Sequence, residues 1–313
     1  MGVPALDILV ATGGVLPAFG RTEYVKGVLF QPGGCALNAA VVLSRLGVRT
    51  VFAGLRGDDQ AGRLLENLLS GEKLDLSRLG VREGRPTTVC IGFYGRGDDR
   101  GFLLSYGAGE ELTLNDVGRL SGFSALHVGG AAGLGRLAVE ELFSADKGAG
   151  ALTTLDVENS PALENADRLW ASLRWVDWFM PSEEEALRMT GTGNLQAAIS
   201  KLRSFGARGI IVTRGARGAL VSDSERSLEV PSPQVQAVDG TGAGDSFAAG
   251  FIAAMLWGFD PVEAARFGCA CGAKATTCPG ATGAVRSLGS VLELLDPDLR
   301  VEAERRASES NAG

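Results

Sequence analysis

The stretch Asp239–Phe247, DGTGAGDSF, places three glycines and two carboxylates in nine residues, directly ahead of the apolar run AAGFIAAMLW. A strand-like QVQAV enters this loop and a helical pattern leaves it. The backbone N–H groups of Gly242, Ala243 and Gly244 are therefore expected at a helix N-terminus, where unpaired donors and the helix dipole favour an anion. No Gly-Lys-Ser/Thr follows, so the loop is not a Walker A loop. Asp245 stands where G-x-G-x-x-G would have its last glycine. As a helix residue Asp245 could simply cap its own N-terminus. A carboxylate beside an anion hole is unfavourable for phosphate storage, however, and suits a proton acceptor. It would receive the proton of a hydroxyl attacking phosphorus while the N–H groups hold the charge that develops on the transferred group.

Such a loop needs a rigid frame. Short β-type runs (TVFAGL at 50–55, ALHVGG at 125–130, ALTTLDV at 151–157, WVDWFMP at 175–181, RGIIVTRG at 208–215) alternate with the helical patterns CALNAAVVLSRLG, GRLAVEELFS, SEEEALRMTG and NLQAAISKLRSFG. Gly47 and Gly206 are placed to end two of those helices. Strand and helix in repetition imply an α/β fold, a mostly parallel sheet with helices on both faces. Residues 12–30 and 86–106 lack intervening helices and read as strands joined by Gly and Asp turns, a small β lid able to exclude water from a reaction.

The whole chain of 313 residues, 45% hydrophobic and 21% charged, reads as a single domain over 1–313 with a polar tail from about residue 303. Its 45 glycines show no G-X-Y period and sit at the ends of apolar segments, as turns and close approaches require. A net charge of −7 gives no general attraction to nucleic acid or to an anionic membrane, so phosphate binding has to be local. No apolar run reaches the roughly 18 residues of a membrane span and no basic-then-apolar leader opens the chain, which points to the cytoplasm and to reduced cysteines. Cys269, Cys271 and Cys278 lie close together, but with one histidine in the chain they read as apolar filler rather than a zinc site.

VDGTGAGDSFAAGF resembles the second signature of the ribokinase family, also called the PfkB carbohydrate kinases, whose usual form is D-T-x-G-A-G-D; Gly240 stands where threonine is common. GGCALNAAVVLSRLG followed by VRTVFAGLRGDDQAG resembles the first signature, with Gly33, Gly34, Asn38, Ala40, Gly47 and Gly57 at the expected spacing. The resemblance covers essentially the whole chain. It implies a ribokinase-like, Rossmann-like three-layer α/β fold with a β lid, and transfer of the ATP γ-phosphate to a primary hydroxyl. By that resemblance Asp245 is the general base and Gly242, Ala243 and Gly244 form the anion hole. Asp7, Gly33, Gly34 and Asn38 bind the sugar. Thr213 and Gly215 in IIVTRGARGAL contact the nucleotide.

WFMPSEEEAL resembles the P-N-x-x-E segment, with Ser182 in place of the asparagine on the nucleotide side and Glu185 organising Mg²⁺ through water. Ser182 with Glu185 is also an S-x-x-E capping box in its own right. The surroundings of Asp239 and Thr241, with the later CPGATGA, resemble a K⁺ site. Family members usually carry a strand of about six residues before the glycine matched here by Gly2. The expectation is that the start lies downstream of the natural one, or that the sheet lacks part of a central strand. His127 is expected to be a hydrogen-bonded histidine near the core rather than a substrate contact.

Ribose, fructose and 2-keto-3-deoxygluconate are the acceptors considered. Met180, where kinases of phosphorylated sugars tend to have lysine, argues against those. A nucleoside kinase would need an aromatic slot, which Phe93, Tyr94, Phe102 and Tyr106 could supply. A sensor that binds sugar or nucleotide without turnover would have no need of Asp245. The lid strands offer edges for a homodimer.

Overall fold

A computed structural model of the chain describes residues 1–12, 18–94, 100–118, 120–147, 150–223 and 226–312. Six strands form the main sheet: β7 (Ala125–Val128), β8 (Leu152–Leu155), β9 (Trp178–Phe179), β10 (Gly209–Thr213), β11 (Ala219–Ser222) and β12 (Ser227–Val230). Their spatial order is β12-β11-β10-β9-β8-β7. Strands β7 to β10 run parallel, and β11 and β12 extend the sheet beyond β10 by two successive antiparallel pairings. A parallel pair, β3 (Val51–Gly57) with β4 (Asp75–Arg82), stands apart in a two-stranded sheet.

Helices cover both faces of the main sheet, as a sheet of buried apolar strands requires. On one side pack α1 (Cys35–Arg45), α7 (Ala243–Leu256), α8 (Pro261–Ala275), α9 (Leu288–Leu292) and α10 (Pro297–Ala312). On the other lie α3 (Leu114–Val117), α4 (Val139–Lys147), α5 (Glu183–Thr190), α6 (Leu195–Ser204) and a 3-10 run over Pro161–Trp175. Helix α2 (Gln60–Leu69) joins a smaller cluster with α1. Helix α7 is apolar almost all round and is correspondingly buried, with α8 packed so closely that a Cβ on Gly250 would lie 2.6 Å from Cys271 Sγ. Cys269 and Cys271 are buried filler in that packing.

The second sheet, formed largely by the segments read as a lid, has the order β2-β1-β5-β6, from β1 (Ala5–Ala11), β2 (Val28–Gly33), β5 (Thr88–Tyr94) and β6 (Arg100–Ser105). It draws in the N-terminal strand β1 as well as the two segments read as a lid; residues 13–17 and 95–99 of those segments lie outside the described residues. Residues 234–238, read as a strand entering the glycine loop, are not one. Their donors go elsewhere: the N–H groups of Val238 and Asp239 donate to the Thr276 carbonyl at the end of α8. Pro231 and Pro233 just upstream remove the donors that a ladder needs.

Met1 and Gly2 bridge β7 and β3. The terminal amine donates to the His127 carbonyl (2.6 Å), Met1 accepts from Gly129 N–H, and Gly2 N–H donates to the Ala53 carbonyl. Beyond them a cavity of about 1040 Å³ opens between the strands, with Ala36, Ala40, Leu43, Ile252 and Leu256 on its wall. His127 lines this cavity, its ring bonded to Thr154 Oγ1 (3.0 Å) and 3.3 Å from Asp156 Oδ2. That is the hydrogen-bonded histidine expected of it. Among the described residues no helix is long and apolar enough to cross a membrane.

Candidate active site

The carboxyl ends of β7, β8, β9 and β10 converge on one cleft of about 770 Å³, roofed by the lid. Ligands of open α/β sheets bind at that end of the strands, where loops replace the sheet hydrogen bonds. Asp7, Gly34, Asn38, Ser182, Glu185, Thr213, Gly215, Thr241, Gly242, Ala243, Gly244 and Asp245 all line this cleft. Gly33 and Asp239 stand behind the lining. Of the four lid aromatics, Phe102 and Tyr106 reach it; Phe93 and Tyr94 do not.

Two helix N-termini meet there. Gly242 caps α7 with a left-handed φ of 71°, and a Cβ on it would lie 2.5 Å from the Ala281 carbonyl oxygen, so glycine is required twice over. Around Gly244 a Cβ would meet nothing within 4 Å, which leaves room over the first turn for an incoming group. Asp239 holds the loop's approach: Oδ1 accepts from Thr241 N–H (2.9 Å) and Oγ1 (2.7 Å), and Oδ2 accepts from Gly280 N–H (2.9 Å). At the start of α1, Gly34 takes φ 95° and Gly33 lies so close under the Asp7 carboxylate that a side chain there would collide with it.

Asn38, on the first turns of α1, donates from Nδ2 to Asp245 Oδ2 at 2.7 Å across 207 residues of sequence, while its buried Oδ1 has no hydrogen-bond partner among the described residues. Burial, and then the charge of Asp156, push the Asp245 carboxyl up to about 7 against the lowering effect of Asn38 and Cys35. A general base works best when its pKa lies near the working pH. Burial likewise pushes Asp7 up to about 7, despite a bond from Gln31.

Glu185 closes a capping box on α5. Its Oε2 accepts from Ser182 N–H (2.7 Å) and its own N–H donates to Ser182 Oγ (3.3 Å), the capping box that the S-x-x-E spacing allows. Burial pushes Glu185 up to about 7 even so. On the same side Thr213 ends β10 and Gly215 follows it, with Arg214 and Arg217 on the cleft wall and Arg217 paired to Glu183.

Asp156 and Glu158, both lining the cleft, escaped the sequence reading. Asp156 follows β8 and accepts from Gly130 N–H (2.6 Å). Glu158 accepts from Tyr106 Oη (3.2 Å) and Ser160 Oγ (3.3 Å), and burial pushes it up to about 8. The available signal was LDVENS, two acids just past the carboxyl end of a parallel strand.

The pattern of the pfkB family carbohydrate kinases matches residues 7–287. The chain belongs to that family. A fructokinase of Vibrio alginolyticus is 28% identical over 299 residues, covering 87% of this chain and 94% of its own length. A Vibrio cholerae O395 fructokinase, solved as a double mutant with fructose, ADP and potassium ion, superposes with a TM-score of 0.80 at 25% identity, over 94% of this chain and 96% of that one. An E. coli protein described as ribokinase II, solved with ATP and Mg²⁺, gives 0.80 at 25% identity, over 97% of each chain. The fold is thus ribokinase-like and the protein is a kinase, which leaves the non-catalytic sensor without support.

Proposed function

We propose that this pfkB-family kinase transfers the γ-phosphate of ATP to a primary hydroxyl of an unphosphorylated sugar, with Asp245 as general base. The observation that carries the reading is the Asn38–Asp245 contact at the first turn of α7, beside the open space at Gly244. Asn38 Nδ2 orients the base, and its Oδ1, unpartnered among the described residues, together with Asp7 offers acceptors to sugar hydroxyls. Asp245 takes the hydroxyl proton as the P–O bond forms, and the N–H groups of Gly242, Ala243 and Gly244 receive the charge on the transferred group. Thr213, Gly215 and Ser182 border the nucleotide.

Mg²⁺ would neutralise charge on the phosphates. Among the described residues no cluster of three or more ligating side chains could hold a metal alone. That fits an ion carried mainly by phosphate and water, with Glu185 in its outer shell. The raised Glu185 carboxyl fits as well, since a cation nearby would relieve its unfavourable charge. K⁺ would sit near Asp239 and Thr241, where Asp239 ties the glycine loop to Gly280. A nucleoside acceptor is a second reading, favoured by Phe102 and Tyr106 on the cleft wall. Val28, Leu29 and Phe30 on one edge of the lid and Phe102, Leu103 and Leu104 on the other are exposed, which supports a homodimer through the lid. We place the enzyme in the cytoplasm, where ATP is available.

The test is ADP release from Mg-ATP, with and without K⁺, across ribose, fructose, 2-keto-3-deoxygluconate and adenosine. Turnover with one acceptor, lost about 10³-fold or more in a folded Asp245→Asn variant, is expected. A variant within tenfold of wild type would remove Asp245 from the chemistry.

A further inference from the structure

Glu158 has no part in the transfer described above, yet its surroundings are built around it. Oε1 is held by Tyr106 Oη and Ser160 Oγ. Oε2 is buried and has no hydrogen-bond partner among the described residues. The facing wall is glycine: a Cβ on Gly133 would lie 2.8 Å from Oε1, and one on Gly130 would lie 3.1 Å from Oε2 and 3.5 Å from Cys35 Sγ. Gly130 is also left-handed, with φ 65°. Any side chain at Gly130 or Gly133 would crowd the carboxyl and close the space it faces.

Cys35 directly follows Gly34 at the start of α1, so Glu158 belongs to the half of the cleft that holds Asp7 and Asn38. Among the described residues lining that half there is no lysine or arginine. Arg214 and Arg217 stand with Thr213 on the other half. Arg168, a cation close enough to act on Glu158, donates to the carbonyls of Ala131, Ala132 and Leu134 and does not line the cleft. A buried polar atom left unpaired is destabilising, so a carboxylate oxygen with no partner among the described residues, on a carboxyl held in place by two hydroxyls, is best explained by a ligand group that completes it.

We propose that Glu158 selects the acceptor: Oε2 pairs with a hydroxyl other than the one that reacts, and the cleft takes neutral polyhydroxylated acceptors and rejects sugar acids. This rests on the kinase reading above. The rejection is electrostatic. The part of the cleft that holds Asp7, Asn38, Asp245 and Glu158 brings carboxyls together with no lysine or arginine among its described lining residues, so a substrate carboxylate would add negative charge there without a partner.

The experiment measures kcat and KM for ribose, fructose, adenosine and 2-keto-3-deoxygluconate with wild type, Glu158→Gln and Glu158→Ala, together with the KM for Mg-ATP. Wild type is expected to favour its best neutral acceptor over the sugar acid by about 100-fold or more in kcat/KM. Glu158→Ala should raise the neutral acceptor's KM about 10- to 100-fold with kcat within a few-fold, because one hydrogen bond to a buried group is lost. Assayed at about pH 9, where Glu158 is ionised, Glu158→Gln should narrow the neutral-to-acid ratio by about tenfold. A wild-type preference for the sugar acid overturns the proposal. So does an unchanged ratio in both variants, or a loss confined to the KM for Mg-ATP. Should neither variant fold, calorimetric titration of wild type with the same acceptors in the presence of ADP decides it, and equal affinity for acid and neutral sugar refutes selection. Absence of turnover with every acceptor would refute the transfer reading itself, and this inference with it.

Discussion

Asn38→Ala should move the pH at which the enzyme switches on. In the native cleft the Asn38 amide donates to Asp245 Oδ2 at 2.7 Å and favours the ionised base, against burial and the charges of Asp156 and Asp7, which hold it at about 7. A hydrogen bond to a charged group contributes about 1.5–3 kcal/mol, and one pKa unit corresponds to 1.36 kcal/mol, so losing the bond should raise the base by about 1 to 2 units. The acidic limb of kcat/KM, expected near 7 in wild type, should then lie at about 8 to 9. At about pH 6 the variant should be some 10- to 100-fold further below wild type than at about pH 9.5, where both bases are ionised. The assay is ADP release across that range with saturating Mg-ATP and the acceptor varied. Loss of a sugar contact alone would lower the whole profile without moving it. A limb within about 0.3 units of wild type would therefore refute the coupling of Asn38 to the base, and a wild-type limb near the ordinary carboxylate value of about 4 would refute the role given to burial.

The two glycines at the start of α7 should separate stability from activity. Gly242→Ala puts a side chain at φ 71° and 2.5 Å from the Ala281 carbonyl, and should lower stability by about 2 kcal/mol or more, read as a fall in the urea midpoint. Gly244→Ala, with open space around its Cβ, should keep the wild-type midpoint while turnover falls about tenfold or more, because the methyl occupies the room left for phosphate. Thermal stability without ligands should fall as pH rises. Asp7, Glu158, Glu185 and Asp245 keep protons in the folded state up to about 7 to 8, whereas the unfolded chain releases them at ordinary values of 3.8 to 4.5. Their contribution is fully present below the unfolded values and is lost as pH rises through the folded ones. Tm should drop by about 3 °C or more between about pH 5.5 and pH 8.5, and Glu158→Gln should flatten that slope; a rise in Tm over the interval would refute the burial argument.

What the chain determined by itself was local. Strands β7, β8 and β10 lie inside their apolar runs and β3 overlaps its run and continues two residues past it, because short β-rich segments between turn residues have few other ways to hide their side chains. Gly47 and Gly206 end their helices at φ 94° and 95°, and Ser182 with Glu185 forms the capping box its spacing allows, since both features need only a few consecutive residues. The glycine loop heading α7 was legible for the same reason.

What tertiary structure decided depends on groups distant in sequence. That Asn38 reaches Asp245 follows from α1 and α7 packing side by side on one face of the sheet. No periodicity placed Asp156 and Glu158 in the cleft; β8 had to stop where it does for their carboxyls to meet Gly130 and Tyr106. QVQAV has the composition of a strand, but its Val238 donor is taken by the end of α8, a competitor invisible to local propensity. The shifted carboxyls are likewise a property of the assembled cleft, because burial strips water from groups that the unfolded chain leaves solvated.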